Sequence, residues 1–311
     1  DHAKIDDTRV DRIRGDGSYL LVSEASYTGL SRTINSAFIQ TKSGFFSERL
    51  YLLLGARLDE YSDFGQELTP RMGLIWKPTA DSAVKLLYGN AFRAGVGSEL
   101  SGAGVIKGDP KISPETIDTY ELIYMQSRAH WKFNLSYFQS RWQDAIVARP
   151  LATVEDGFSS EYVNRGENKS SGLEFEGQFL TGDFNFQTGI SWIKSESVSE
   201  DLEYVAFPEY IINLDVHYEI SPQALSISLF NRLHINADSG PIKNNIANPA
   251  PLENYFRTDL SVSGKISSQL DYYFHVRNIF DRNIVLPSVW NSEGGIAQPG
   301  INATAGMRMT F

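Results

Sequence analysis

Residues 303–311 read Ala303-Thr304-Ala305-Gly306-Met307-Arg308-Met309-Thr310-Phe311. Ala303, Ala305, Met307, Met309 and Phe311 share one face of an extended chain, and Thr304, Gly306, Arg308 and Thr310 share the other. A period of two is what a β-strand gives when its two faces meet different environments. A strand that ends on an aromatic residue with no polar tail must be held by a neighbour, because free termini fray. The segment fits the last strand of a soluble sandwich or of a sheet with one face in lipid.

The same alternation recurs along the chain. Leu50, Leu52, Leu54, Ala56 and Leu58 alternate with Tyr51, Gly55, Arg57 and Asp59. Trp131, Phe133, Leu135 and Tyr137 oppose Lys132, Asn134 and Ser136; Leu173, Phe175 and Phe179 oppose Glu174, Glu176 and Gln178. Leu225, Ile227, Leu229 and Leu233 oppose Ser226, Ser228, Arg232 and His234. Each run covers roughly 9 to 12 residues, what a tilted strand needs to cross a bilayer and nearly twice the usual globular strand. The links are sorted as well. Short turns are expected at Lys42–Phe46, Pro78–Ser82, Ser127–Ala129, Thr181–Asp183, Ile220–Pro222 and Ile266–Ser268, strictly alternating with long links at Arg93–Glu115, Trp142–Lys169, Lys194–Ala206, Asn236–Asn254 and Arg282–Asn302. Tight turns at one end and long loops at the other are the habit of a bacterial outer-membrane barrel.

Composition agrees with that reading and closes off others. The absence of cysteine removes disulfide frameworks and thiolate metal sites. No stretch approaches the roughly 18 to 20 apolar residues of a spanning helix. A formal charge of −10 argues against nucleic acid as a partner. His130, His217, His234 and His275 stand singly on different strands, so no metal or cofactor is expected. A hydrolase would need a histidine beside a nucleophile, for which His217 or His234 with Ser226 or Ser228 are the available residues; serines on a polar strand face are common, and the expectation is no enzyme.

The fold expected is all-β, a transmembrane antiparallel β-barrel. Counting back from Phe311 gives about thirteen spanning strands, the first near Arg32–Thr41, whereas bacterial single-chain barrels have even numbers. Asp1 is no start methionine and no signal segment follows it. Residues 31–311 are therefore expected to be the carboxy-terminal portion of a larger barrel, and residues 1–30 an outer loop and the edge of a missing strand.

Several motifs resemble those of TonB-dependent outer-membrane receptors. The stretch Val84–Glu99, with Tyr88-Gly89 and Ala91-Phe92-Arg93-Ala94, is similar to the family's strand-to-loop segment, although Gly95 stands where proline is usual. Ser113-Pro114-Glu115-Thr116 with Tyr120-Glu121-Leu122, then Tyr162-Val163-Asn164 with Gly172-Leu173-Glu174-Phe175-Glu176, follow in family order. Val276-Arg277-Asn278-Ile279-Phe280-Asp281 resembles the penultimate segment, and Phe311 the terminus. The resemblance implies about thirteen of twenty-two strands, with the amino-terminal plug and energy-coupling box outside this chain. It also implies an outer-membrane receptor and transporter for a scarce nutrient, a ferric siderophore first and cobalamin or a similar solute next. Its implied partners are the TonB-ExbB-ExbD complex, the barrel assembly machinery and outer-membrane lipid. The runner-up is a passive porin or fatty-acid-type channel. Large hydrophilic ligands are held by aromatic and arginine side chains on outer loops, which makes Arg93, Tyr162, Arg165, Tyr204 and Trp290 the candidate ligand-binding residues.

Overall fold

A computed structural model describes the chain except for residues 1, 6–8, 14–18, 25–29, 199–201, 204–206, 222–223, 240–249, 288–294 and 311, with side chains from residue 31 onward save at 202–203, 238–239 and 250–251. Thirteen long antiparallel strands run in sequence order through one sheet, each bonded to its neighbours in the chain. They are β1 Leu30–Phe45, β2 Leu50–Tyr61, β3 Gly65–Thr79, β4 Ser82–Arg93, β5 Glu115–Ser127, β6 Trp131–Gln143 and β7 Glu167–Thr181. Then come β8 Phe184–Ser197, β9 Tyr210–Ser221, β10 Leu225–Ile235, β11 Tyr255–Ser267, β12 Leu270–Arg277 and β13 Asn302–Met309. The sheet does not close on itself: β1 lies towards one edge and β13 forms the other. Within residues 1–30, His2–Ile5 pairs with the start of β1, and Arg9–Ile13 forms a hairpin with Tyr19–Glu24.

Register carries the two-residue period across the whole sheet, since directly paired residues point to the same side. Phe45, Leu50, Trp76, Val84, Tyr124, Leu135, Phe175, Ile190, Ile212, Leu233 and Phe256 follow one another, strand to strand, in a single row. On the opposite face a second row runs through Gln40, Gly55, Arg71, Gly89, Thr119, Ser140, Ser170 and Ser195. Its hydroxyls bond across strands, Thr119 to Ser140 at 3.0 Å and Ser170 to Ser195 at 2.7 Å. The apolar face stays uncovered: Leu68 is 59% exposed and Leu86 54%. Such a face is far larger than a water-soluble monomer tolerates, and lipid is the solvent that suits it. Towards the short-turn end it carries ring contacts between Trp131 and Phe133, Phe179 and Phe186, and Phe184 and Tyr218. This is the aromatic girdle of a barrel's membrane interface.

Most links fall where the alternation puts them, with local corrections. Gly182, at φ 54°, and Asp183 join β7 to β8 as a two-residue hairpin, a turn that needs the left-handed backbone glycine adopts freely. The first turn sits later than expected, because strand pairing persists to Phe45 opposite Leu50 and the chain reverses at residues 46–49. The strict alternation of short and long links also fails once. At the long-link end β2 and β3 are joined only by residues 62–64, because pairing continues to Tyr61 opposite Gly65.

Two of the long links are built into each other. Residues 94–114 contain helix α1, Gly97–Ser101, and the strand Ile106–Lys107; residues 144–166 contain Ile146–Glu155 and Phe158–Asn164. Phe158–Asn164 pairs antiparallel with Ile146–Glu155 and parallel with Ile106–Lys107, so the links on either side of the β5–β6 hairpin share one three-stranded sheet. This cap stands beyond the outer ends of β4 to β7.

Candidate functional site

The polar face and the outer rim above it are where a solute would meet this wall. Arg57, Asp59, Arg71, Glu121, Glu174, Arg232, Arg257, Asp259 and Arg308 all share the polar face by register. Charged groups are costly in hydrocarbon and belong on the side away from lipid. Asp59 shows how such charges are tied: it is 2% exposed, receives Arg57 Nε at 2.8 Å and accepts the Ser36 hydroxyl.

At the rim, Arg93 ends β4 on the polar face and Glu115 begins β5 directly opposite. Arg93 Nε donates to Glu115 Oε2 at 2.7 Å and Nη2 to Oε1 at 2.8 Å; Nη1 and Nη2 donate to Glu99 at 2.9 and 3.0 Å. Glu99 sits in α1 and also accepts the Val96 backbone N–H at 2.8 Å. Glu115 accepts the Ile146 N–H at 2.6 Å. One guanidinium therefore holds two carboxylates, and through them joins both cap-forming links to the barrel rim. Bidentate pairs of this kind fix geometry as well as energy. Asn164 adds the second fastening, donating to Ser113 O at 2.9 Å and Asp144 O at 2.7 Å while its Oδ1 accepts the Ser113 N–H at 2.8 Å. Pro114 precedes Glu115 where the chain re-enters the sheet.

The ligand-binding candidates are dispersed by the structure. Arg93 is consumed by its two carboxylates. Tyr162 lies half-buried within the cap strand Phe158–Asn164, opposite Ala148. Arg165 is exposed just after that strand, its backbone N–H bonded to Ala145 O at 2.9 Å. Tyr204 and Trp290 lie outside the described residues.

The remaining motif residues divide between the two faces. Tyr88, Phe92 and Tyr120 share the outward face, where the Tyr88 and Tyr120 rings lie 4.9 Å apart and Tyr88 Oη donates to Asp118 at 2.7 Å. Gly89, Glu121, Gly172 and Glu174 are on the polar face. A Cβ on Gly172 would come within 2.5 Å of the Phe138 ring and 2.8 Å of Trp192 O, so glycine there seats an inward-facing aromatic. Asn278 is 1% exposed at φ 54° and closes the turn after β12: Arg282 N–H donates to its Oδ1 at 3.0 Å and its Nδ2 donates to Arg282 O at 2.9 Å. Asp281, at φ 48°, accepts the Ile301 N–H at 2.8 Å, and Phe280 is exposed beside it. Phe311 lies outside the described residues.

Glu99 escaped the sequence reading as a site residue because its partner Arg93 lies across a loop whose path no periodicity reveals. Arg257 and Asp259 escaped for another reason: only register shows what faces them. Of the paired histidine and serine residues, His217 Nδ1 and Ser228 Oγ meet at 2.9 Å on the polar face, while His234 lies against Tyr255.

Comparison with known proteins agrees with this architecture. Residues 3–279 match the family model described as TonB dependent receptor-like, beta-barrel. Among curated relatives, the vitamin B12 transporter BtuB of Photobacterium profundum is 19% identical over 235 residues, which cover 76% of this chain and 37% of that protein. The probable TonB-dependent siderophore receptor PirA of Acinetobacter baumannii is 23% identical over 287 residues, covering 76% of this chain and 38% of that one. The crystal structure of that siderophore receptor superposes with a TM-score of 0.74 at 18% identity, over 93% of this chain and 47% of the other. The FrpB iron transporter of Neisseria meningitidis gives a TM-score of 0.74 at 18% identity, over 90% and 46%. The chain thus spans less than half the length of the relatives it matches. An open sheet with one lipid-compatible face, the ordered motifs and a family model that takes in most of the sequence lead to one conclusion: the chain belongs to the TonB-dependent receptor-like β-barrel family of the bacterial outer membrane.

Proposed function

We propose that this chain is the carboxy-terminal wall of an energy-coupled outer-membrane receptor that takes up a scarce nutrient, with a ferric siderophore as the solute class that fits best. The observation that carries the reading is the open thirteen-strand sheet with a polar inner face and a fastened cap at its outer rim. Residues 31–311 supply the staves; residues 1–30 supply an outer loop and the margin of a neighbouring strand. Unpaired strand edges are not stable in hydrocarbon, so the natural receptor contains further staves that close the barrel. An amino-terminal plug fills it, and a coupling segment there engages the TonB-ExbB-ExbD complex. The barrel assembly machinery inserts the chain. Support for the solute class is the run of relatives named as siderophore receptors and an iron transporter; the relative named as a vitamin B12 transporter supports cobalamin as the second choice. The wall binds and passes solute and performs no chemistry on it.

The test uses the complete natural receptor. Its purified form is expected to show little steady conductance in planar bilayers, and uptake of a ferric siderophore by cells is expected to stop when the proton gradient is collapsed. A large stable conductance with uptake that survives the collapse would replace this reading with a passive porin or fatty-acid-type channel.

A further inference from the structure

The polar face carries a second concentration of charge, far from Arg93. Arg232 of β10 and Arg257 of β11 are direct register partners, and His234 and Tyr255 are the next pair towards the outer rim on the same face. Arg277 ends β12 on that face, one residue beyond Val276, which pairs with Leu260 of β11. Like charges directly opposite each other on a sheet destabilise it, so this pairing works against the fold.

The wall neutralises the pair only in part. Asp259 receives Arg257 Nη2 at 2.9 Å and is already engaged by the Asn278 N–H at 2.8 Å. Arg232 Nε donates to a neutral group, Asn213 Oδ1, at 2.8 Å. Asp215 lies diagonally from Arg232. The Arg257 Nε and the His234 Nδ1 are buried with no hydrogen-bond partner among the described residues. The Arg257 side chain is 16% exposed, so its fork is partly desolvated. Three guanidinium groups, one with its Nε orphaned, together with the orphaned His234 Nδ1 and the Tyr255 hydroxyl 3.3 Å from His234 Nε2, therefore line one strip of inner wall below the rim. Guanidinium forks bind planar oxyanions bidentately, and here Arg257 is the partly desolvated one while Arg232 and Arg277 are exposed.

We propose that Arg232, Arg257 and Arg277 form an oxyanion niche that holds a carboxylate-type group of the solute on its way inward. The proposal rests on the reading of the chain as part of a solute receptor. It is tested by equilibrium binding, which needs no energy coupling, so its failure would leave the uptake result standing.

The probe is propane-1,2,3-tricarboxylate, with its uncharged trimethyl ester as control, titrated calorimetrically into the complete receptor in detergent at low salt. The expected result is saturable binding of the acid and none of the ester. Arg232→Gln and Arg257→Gln should each weaken it by about tenfold or more, the worth of one charge-assisted contact. Arg232→Lys should fall between, because it keeps the charge and loses the fork. Arg308→Gln, on the same face at the far end of β13, should leave affinity unchanged. Retention of the heat-modifiable gel shift reports that each barrel is folded, and Arg277→Gln takes the place of Arg257→Gln if that variant fails this check. Absence of saturable binding, equal binding of acid and ester, or an equal loss in Arg308→Gln would overturn the niche.

Discussion

Single residues in this wall are fixed by what lies directly across the sheet from them. Gly172 and Gly89 belong to similar-looking motifs, yet a Cβ at Gly172 would strike the Phe138 ring and at Gly89 would meet nothing within 4 Å. Gly172→Val is therefore expected to destabilise the complete receptor by about 1–3 kcal/mol, the usual range for overpacking, and Gly89→Ala to change it little. Urea unfolding in detergent micelles measures both; equal costs would contradict the seating of Phe138 over Gly172. Glu209, between β8 and β9, gives a pH-dependent case. Its carboxylate accepts Asn236 Nδ2–H and the Trp192 indole N–H, both at 3.0 Å, and these bonds hold its pKa below the ordinary value of 4.5. Because the folded value is the lower one, the stabilisation is complete above the ordinary value and is lost as pH falls through the folded one. Hydrogen exchange at Tyr210 and Asn236 should accelerate in that acidic window in the wild type. In Glu209→Gln the step should vanish.

At the scale of the strand, the alternating pattern was legible because lipid and the polar face demand opposite chemistry at successive residues. Leu225, Ile227 and Leu229 on one side, with Ser226, Ser228 and Arg232 on the other, emerge from sequence and register alike. Ile227→Arg near the membrane midplane should cost about 2–4 kcal/mol, while Ser228→Arg should cost much less. Folding titrations into lipid vesicles read the difference; equal costs would mean that the two faces are not distinct solvents. Other features were not legible. The turn after β1 was misplaced because Gly44 and Phe45 look like loop residues until Leu50 and Tyr51 are seen to pair with them. The short link at residues 62–64 was hidden because Glu60 and Tyr61, beyond the alternation that ends at Asp59, join the strand only by pairing with Gln66 and Gly65. Loop interiors escaped altogether. The strand Ile106–Lys107 is two residues long and exists only because Phe158–Asn164 lies beside it.

For the molecule as a whole, the decisive property is that the sheet stays open. Its outward face suits lipid, but a free margin leaves backbone donors and acceptors unmet. Residues 1–311 produced alone are expected to aggregate or remain misassembled in detergent, whereas the complete receptor should give a heat-resistant monomer. Sedimentation together with gel mobility before and after boiling distinguishes the two. A cooperative, heat-resistant monomer from residues 1–311 would mean that this segment closes into a smaller barrel.

Neighbour-only pairing has a consequence for how such a wall is inherited. Since every stave bonds only to those before and after it, a duplicated hairpin can widen the circumference without re-registering the rest. The cap breaks that freedom at one place. The links that build it lie on either side of the β5–β6 hairpin, and the Arg93–Glu115 and Asn164 fastenings set their separation. Gains and losses of hairpins over evolutionary time should therefore spare β5 and β6 and collect elsewhere around the ring.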